Sequence, residues 1–178
     1  MILDETYFAY EPLHIPFAEA SGVGVSKLLD TKKKEQVLNT IATRELQFLK
    51  ELLGKDLRDA FLAGLNDDPI EQKWIDLRDK IYDSANKISP VANYVYYFYI
   101  DPTKMTDVGI AIAKSDNLIN VSPLIRQVEV WNDMADLNLE IVEWLDENSD
   151  VYEIDDIEYP RDNWAKDYGI LDYINRLV

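Results

Sequence analysis

The chain contains no cysteine and a single histidine. The first absence removes a disulfide framework and every thiolate metal site, and it leaves the reducing cytoplasm open. The second leaves nucleophilic chemistry of the Ser-His or Cys-His kind resting on His14 alone, in a proline-punctuated segment with no flanking motif. No run of about 18 apolar residues exists, and the start lacks a basic-then-apolar layout. The expectation is a soluble protein with no membrane partner that is not exported by the usual route. Bases are scarce as well: 18 against 34 acids, a net charge of −16. Binding driven by phosphate contacts needs clustered Lys and Arg, so a nucleic-acid binder of that type is disfavoured. The charge suits contact with basic partner surfaces, a path along which DNA slides without sticking, or simple solubility. What is present is a 178-residue chain, 47% hydrophobic, enough for one domain with a sizeable core.

The longest clean helical pattern runs from Ser122 to Asn148. Ser122 can cap the free N–H groups and Pro123 suits the first helical position. Leu124, Val128, Trp131, Met134, Leu137, Ile141 and Leu145 recur every three or four residues and form one apolar stripe. Glu129, Asp133, Asp136, Glu140, Glu143 and Glu147 form a second, and no Lys or Arg follows to pair with them. Like charges at i,i+4 cost about 0.2–0.5 kcal/mol each. Burial of the apolar stripe contributes roughly 10 kcal/mol in gross terms, so packing prevails.

In the preceding chain, Tyr7, Phe8, Tyr10, Leu13, Ile15 and Phe17 are apolar, but Pro12 and Pro16 interrupt regular structure. Gly22-Val23-Gly24 before Ser26-Lys27 fails the phosphate-loop spacing and reads as a hinge. Asp30 or Thr31 can cap a helix to Leu53, with Val37, Leu38, Ile41, Leu46, Phe48, Leu49, Leu52 and Leu53 inward and Gly54 as its stop. Lys32-Lys33-Lys34 would then lie in its first turn, as a solvated patch or as the complement of an acidic stripe on a neighbouring molecule. A short helix over Asp56–Leu65 follows. Asp68-Pro69 then opens another, with Ile70, Trp74, Leu77, Ile81, Ala85 and Ile88 inward. Pro90–Ile100 has strand propensity in Val95–Ile100, yet its neighbours are helical, and a central buried helix is the preferred reading. Val108, Ile110 and Ile112 alternate with small residues, and Leu118–Val121 forms a second run beyond a turn-like stretch. After Asn148 the chain is acidic with scattered aromatics, and it ends on Ile170, Leu171, Tyr173, Ile174, Leu177 and Val178.

These readings give a mainly α fold. A helical bundle of about five helices spans 31–148, with a projecting β-hairpin or long loop at 101–121. An irregular N-terminal arm covers 1–30, and an extended acidic tail with a short apolar end covers 149–178.

Catalytic and metal signals are weak. Asp146, Asn148 and Asp150 resemble the start of a calcium loop, but Val151 stands where Gly belongs and Ile157 where Glu belongs. Glu140, Glu143 and Asp146, with Glu153 and Asp156, resemble the paired carboxylates of magnesium-dependent all-α nucleotide pyrophosphatases. The second pair falls beyond the helical pattern, and no basic cluster stands nearby for phosphates, so a solvated acidic face is the better reading. No catalytic residue, cofactor or metal is expected. A second non-enzymatic reading is an acidic protein that mimics DNA charge and inhibits a basic host protein.

Residues 42–164 resemble the head–tail connector (neck adaptor) proteins of tailed bacteriophages and prophages. The resemblance lies in the order of its pieces. Glu45-Leu46-Gln47-Phe48-Leu49-Lys50-Glu51-Leu52-Leu53-Gly54-Lys55-Asp56-Leu57 is a helix with a leucine–glycine stop and a second short helix. Trp74–Ile81, the aromatic Ile88–Tyr99, the loop Val108–Ser115, and Trp131–Leu145 followed by Tyr159-Pro160 and Trp164 complete it. The resemblance implies a virion structural protein, made in the bacterial host cytoplasm and placed in the neck. It implies a homo-oligomeric ring of about a dozen copies that docks on the portal protein, meets the next tail or neck protein, and passes DNA without specific binding. Candidate contact residues are Ile110, Ile112, Leu118 and Ile119 in the projection and Glu129, Asp133, Asp136 and Glu140 on the long helix. Ile170, Leu171, Tyr173, Ile174 and Leu177 at the apolar end complete the set.

Overall fold

The computed structural model describes residues 2–15, 25–100 and 123–152. Within them the chain forms a 3-10 turn at Glu5–Phe8 and helices α1 (Val25–Gly64), α2 (Gln72–Ile81), α3 (Pro90–Tyr99), α4 (Pro123–Glu147) and α5 (Ser149–Tyr152). The fold is mainly α, and no strand occurs among the described residues. The expected projection at 101–121 and the tail beyond residue 152 lie outside them.

α3 sits at the centre, packed on both α1 and α4. Ser89 starts it by accepting from the Val91 N–H at 3.2 Å, and Pro90 occupies the first turn. Every residue from Pro90 to Tyr96 is buried. That all-round burial lets helix prevail over the strand propensity of the Val95–Ile100 run, because each face has helical neighbours to meet.

α1 is two helical arms, 25–53 and 55–64, joined at Gly54, where φ is +74° and ψ 176°. L-residues with a side chain avoid this backbone, so the glycine sets the bend where the sequence places a stop. The helix begins at Val25, earlier than the expected Asp30 or Thr31 cap. Nothing in Val25–Asp30 breaks a helix, and extending an existing one costs less than nucleating another. Lys32-Lys33-Lys34 therefore does not occupy a first turn, and Lys34 pairs with Glu5 of its own chain at 2.8 Å.

One apolar assignment in α1 is corrected. Leu46 is 50% exposed and Glu45 is 2% exposed. The stripe passes through Val37, Ile41, Phe48, Leu49 and Leu52, and position 45 lies on that line while 46 is rotated off it.

α2 is shorter than expected at both ends. Asn66 closes the end of α1 by donating to the Leu62 carbonyl at 2.7 Å, and Asp68-Pro69 belongs to the connecting turn. At the far end, the Asp83 carboxylate accepts from the backbone N–H groups of Ala85 (3.1 Å) and Asn86 (2.9 Å) and from the Asn86 amide (2.7 Å). Asp83 and Ile88 also exchange both backbone hydrogen bonds, at 2.9 and 3.1 Å. This local network competes with the helix and turns the chain, so Ala85 and Ile88 face outward instead of into the core.

The described part of the N-terminal segment is packed on the helices. Leu3, Tyr7, Phe8, Leu13 and Ile15 enter the same core as α1 and α3. At the other end, α5 turns back after α4, and Tyr152 packs between Trp74 (5.9 Å) and Trp144 (5.8 Å) while its hydroxyl donates to the Lys73 carbonyl at 2.8 Å. The first residues of the expected tail are thus helical and docked.

Candidate functional site

α4 separates the two properties that its sequence interleaves. Val128, Val130, Met134, Ile141, Val142 and Leu145 are buried, and Glu129, Asp133, Asp136, Glu140, Glu143 and Glu147 are all exposed. Trp131 and Leu137 are half-buried at the margins. The acidic run covers 18 residue steps, about 27 Å at the helical rise.

The N-terminal part of this stripe borders an open groove of about 540 Å³. Asp133, Asp136 and Leu137 of α4 line it together with Tyr10, Glu11, Pro12 and Leu13 of the N-terminal segment. Asn86, Lys87, Ile88, Asn93, Thr6 and Tyr7 are the other lining residues among those described. Two of its large side chains are open to solvent, Tyr10 at 76% and Ile88 at 51%.

Local chemistry explains why these pieces meet. Arg126, one turn into α4, donates to the Pro12 carbonyl and to Glu129 at 3.2 Å, and lies 3.8 Å from Glu11. It ties the N-terminal segment to the acidic helix and gives Glu129 a cation three residues earlier. The same guanidinium pulls the Tyr96 hydroxyl down, against the burial that raises it overall. Lys87 adopts a left-handed φ of 58° and holds its ammonium 4.8 Å from the Tyr7 ring. Tyr7 titrates at about 12, pushed up by burial first and then by Asp4, Asp83 and Asp79.

A second polar site is internal. Glu45 accepts from the Ile2 N–H at 2.9 Å, the Leu3 N–H at 2.8 Å and the Tyr82 hydroxyl at 3.0 Å. It joins the N-terminal segment, α1 and the α2–α3 connection at one carboxylate. Burial, with the Glu45 charge behind it, raises Tyr82 well above the ordinary phenol value.

No protein-family model, curated protein or solved structure matches this chain.

Of the candidate contact residues, the structure brings Asp133 and Asp136 to the groove, engages Glu129 with Arg126, and leaves Glu140 on the stripe outside the groove lining. Ile110, Ile112, Leu118, Ile119, Ile170, Leu171, Tyr173, Ile174 and Leu177 lie outside the described residues. Tyr10, Glu11, Lys87 and Ile88 are groove residues that periodicity could not find, because they sit in turns. His14 is exposed, its Nδ1 3.0 Å from the Ala9 carbonyl oxygen. Among the described residues no cluster of three or more His, Cys, Asp or Glu could hold a metal ion. No helix among them is long and apolar enough to cross a membrane.

Proposed function

We propose that this chain is a structural assembly protein of a tailed bacteriophage or prophage, a neck adaptor whose copies form a ring on the portal and extend the DNA channel. The observation that carries the reading is the outward acidic stripe of α4, six exposed carboxylates on the face opposite its buried one. A surface of one sign and this length repels DNA when it lines a channel, and attracts a basic patch when it faces a neighbour. The resemblance of residues 42–164 to neck adaptors supports the reading, as does the helix–glycine–helix arrangement at Gly54. Rings need different faces of identical subunits to meet, and the exposed Leu46, Leu139 and Val151 supply apolar surface for such contacts. The role assigned is mechanical, with no reaction.

The test is to mix the full chain with the portal protein of the same phage or prophage and image the particles by negative stain. An extra ring of density on the portal is the expected result. Portals that stay bare at high chain concentration overturn the proposal. The chain alone can remain monomeric before it meets the portal, so its solution size is not the criterion.

A further inference from the structure

Two exposed rows on the long helices match each other, and from that match we infer that the α1 face around Leu46 docks against the α4 face around Leu139 of a second copy of this chain. This contact is the joint between neighbours of the proposed ring, and in that role it rests on the adaptor reading. Leu46 and Leu139, 50% and 53% exposed, are the large exposed hydrophobic residues of α1 and α4 among the described residues. Each has a small residue four positions before it, Ala42 and Ala135, and an exposed charge four positions after it, Lys50 and Glu143. Among the described residues neither charge has an ion pair or hydrogen bond within its own subunit. α1 thus offers a leucine and a free ammonium one turn apart, about 6 Å along the axis, and α4 offers a leucine and a free carboxylate at the same spacing.

The matched spacing selects both the partner and the direction. Two helices that run side by side in the same direction, leucine on leucine, bring Lys50 opposite Glu143. Reversing one helix sets each charge opposite the alanine of the other row. Pairing α1 with α1, or α4 with α4, in the same direction sets like charges face to face, which is costly. Helical side chains lean over the turn that precedes them, so the alanine one turn before each leucine leaves room for the leucine of the other helix. Because the rows lie on different helices, the contact joins unlike faces of identical subunits, the kind that closes rings. It extends over little more than one heptad, so it is weak between free copies and strengthens where a portal holds them side by side.

The experiment uses the absence of native cysteine. Thr43→Cys in one sample of the full chain and Asp136→Cys in another lie three residues before each leucine and leave the leucines, Lys50 and Glu143 in place. The two variants are mixed at high concentration, with and without portal, and oxidised with diamide; mass spectrometry maps the links. A disulfide needs Cα atoms about 4.4–6.8 Å apart, so it reports register. The 43–136 link should form, most abundantly on the portal, and several-fold less when Glu140→Cys, one turn out of register, replaces Asp136→Cys. Lys50→Glu in the Thr43→Cys chain should lower the yield about fivefold. Glu143→Lys in the other chain should lower it alone, although it makes that chain less negative, and restore it when combined with Lys50→Glu. All these positions are exposed, and circular dichroism confirms that each variant is folded. A yield no higher than that of the Glu140→Cys control, predominant Thr43→Cys homodimers, or indifference to Lys50→Glu would overturn the inference. Rings on the portal without the link, as when the portal itself covers this face, would overturn it and leave the adaptor reading standing. Bare portals with the link formed between free copies would do the reverse.

Discussion

Replacing Glu45 should loosen the N-terminal segment more than any surface substitution can. The carboxylate is 2% exposed and collects two backbone N–H groups and the Tyr82 hydroxyl within 2.8–3.0 Å. Hydrogen bonds to a charged group contribute about 1.5–3 kcal/mol each, which gives about 4–9 kcal/mol for three if they were additive. Ile2 lies near the surface, and water can replace part of what its N–H loses. Glu45→Ala is therefore expected to cost about 3–5 kcal/mol, a large share of the 5–15 kcal/mol typical of a folded domain. Glu45→Gln should cost less, about 1–2 kcal/mol. An amide oxygen at the Oε1 position keeps all three donors, while the amide nitrogen replaces Oε2 and faces the Ile2 N–H now 3.2 Å away.

The assay is urea unfolding followed by tryptophan fluorescence, with the dependence on denaturant checked for constancy. A double-mutant cycle with Tyr82→Phe isolates the hydroxyl contact. If the contact is as described, the two substitutions are non-additive, with a coupling of about 1–3 kcal/mol. Strict additivity, or a Glu45→Ala cost below about 1 kcal/mol, would refute the reasoning.

Four further outcomes are expected. Gly64→Ala would set a methyl group 2.0 Å from the Trp74 Nε1 and force the indole to move, at about 1–3 kcal/mol; urea unfolding measures the cost and a shifted tryptophan emission marks the cause. Gly54→Ala meets no atom within 4 Å, so its cost, about 1–3 kcal/mol by the same unfolding assay, is purely that of the backbone at φ +74°. Asn138 is 1% exposed and its amide finds no hydrogen-bond partner among the described residues, so Asn138→Leu should raise the unfolding midpoint by an amount worth about 1 kcal/mol or more. Tyr7, Tyr94 and Tyr152 titrate at about 12 when folded, each raised chiefly by burial, so stability that is whole below pH 10 should fall as pH climbs from there towards 12, read by unfolding across that range.

The bundle was legible because its helices announce themselves. Proline and serine mark the start of α3, glycine marks the bend of α1, and a three-to-four spacing lays out the buried side of α4. The misreadings share a cause, which is polar side chains acting on the backbone. Glu45 lies on an apolar line because distant N–H groups need an acceptor there, whereas hydrophobicity alone points to Leu46 as the inward residue. Asp83 ends α2 by bonding the backbone two and three residues on, a local choice that periodicity overlooks when Ala85 and Ile88 fall at the right spacing. The candidate site was half visible. Asp133 and Asp136 follow from the stripe, whereas Tyr10, Glu11, Lys87 and Ile88 reach the groove only through long-range contacts such as Arg126 to the Pro12 carbonyl.

The charge of the chain also limits how copies can join. Each carries −16, so association starts against repulsion that grows with every copy added. Exposed ion pairs offset little of it, since each contributes about 0–1 kcal/mol. The Lys34–Glu5 pair further shows that part of the one triple-lysine run is engaged within its own subunit. Any association of copies would therefore have to draw mainly on apolar burial, at about 25 cal/mol per Å², with the acidic stripe free to set orientation. A ring of this chain would then set apolar surfaces between neighbours and turn the carboxylates of α4 towards whatever is basic, or towards DNA that must not bind.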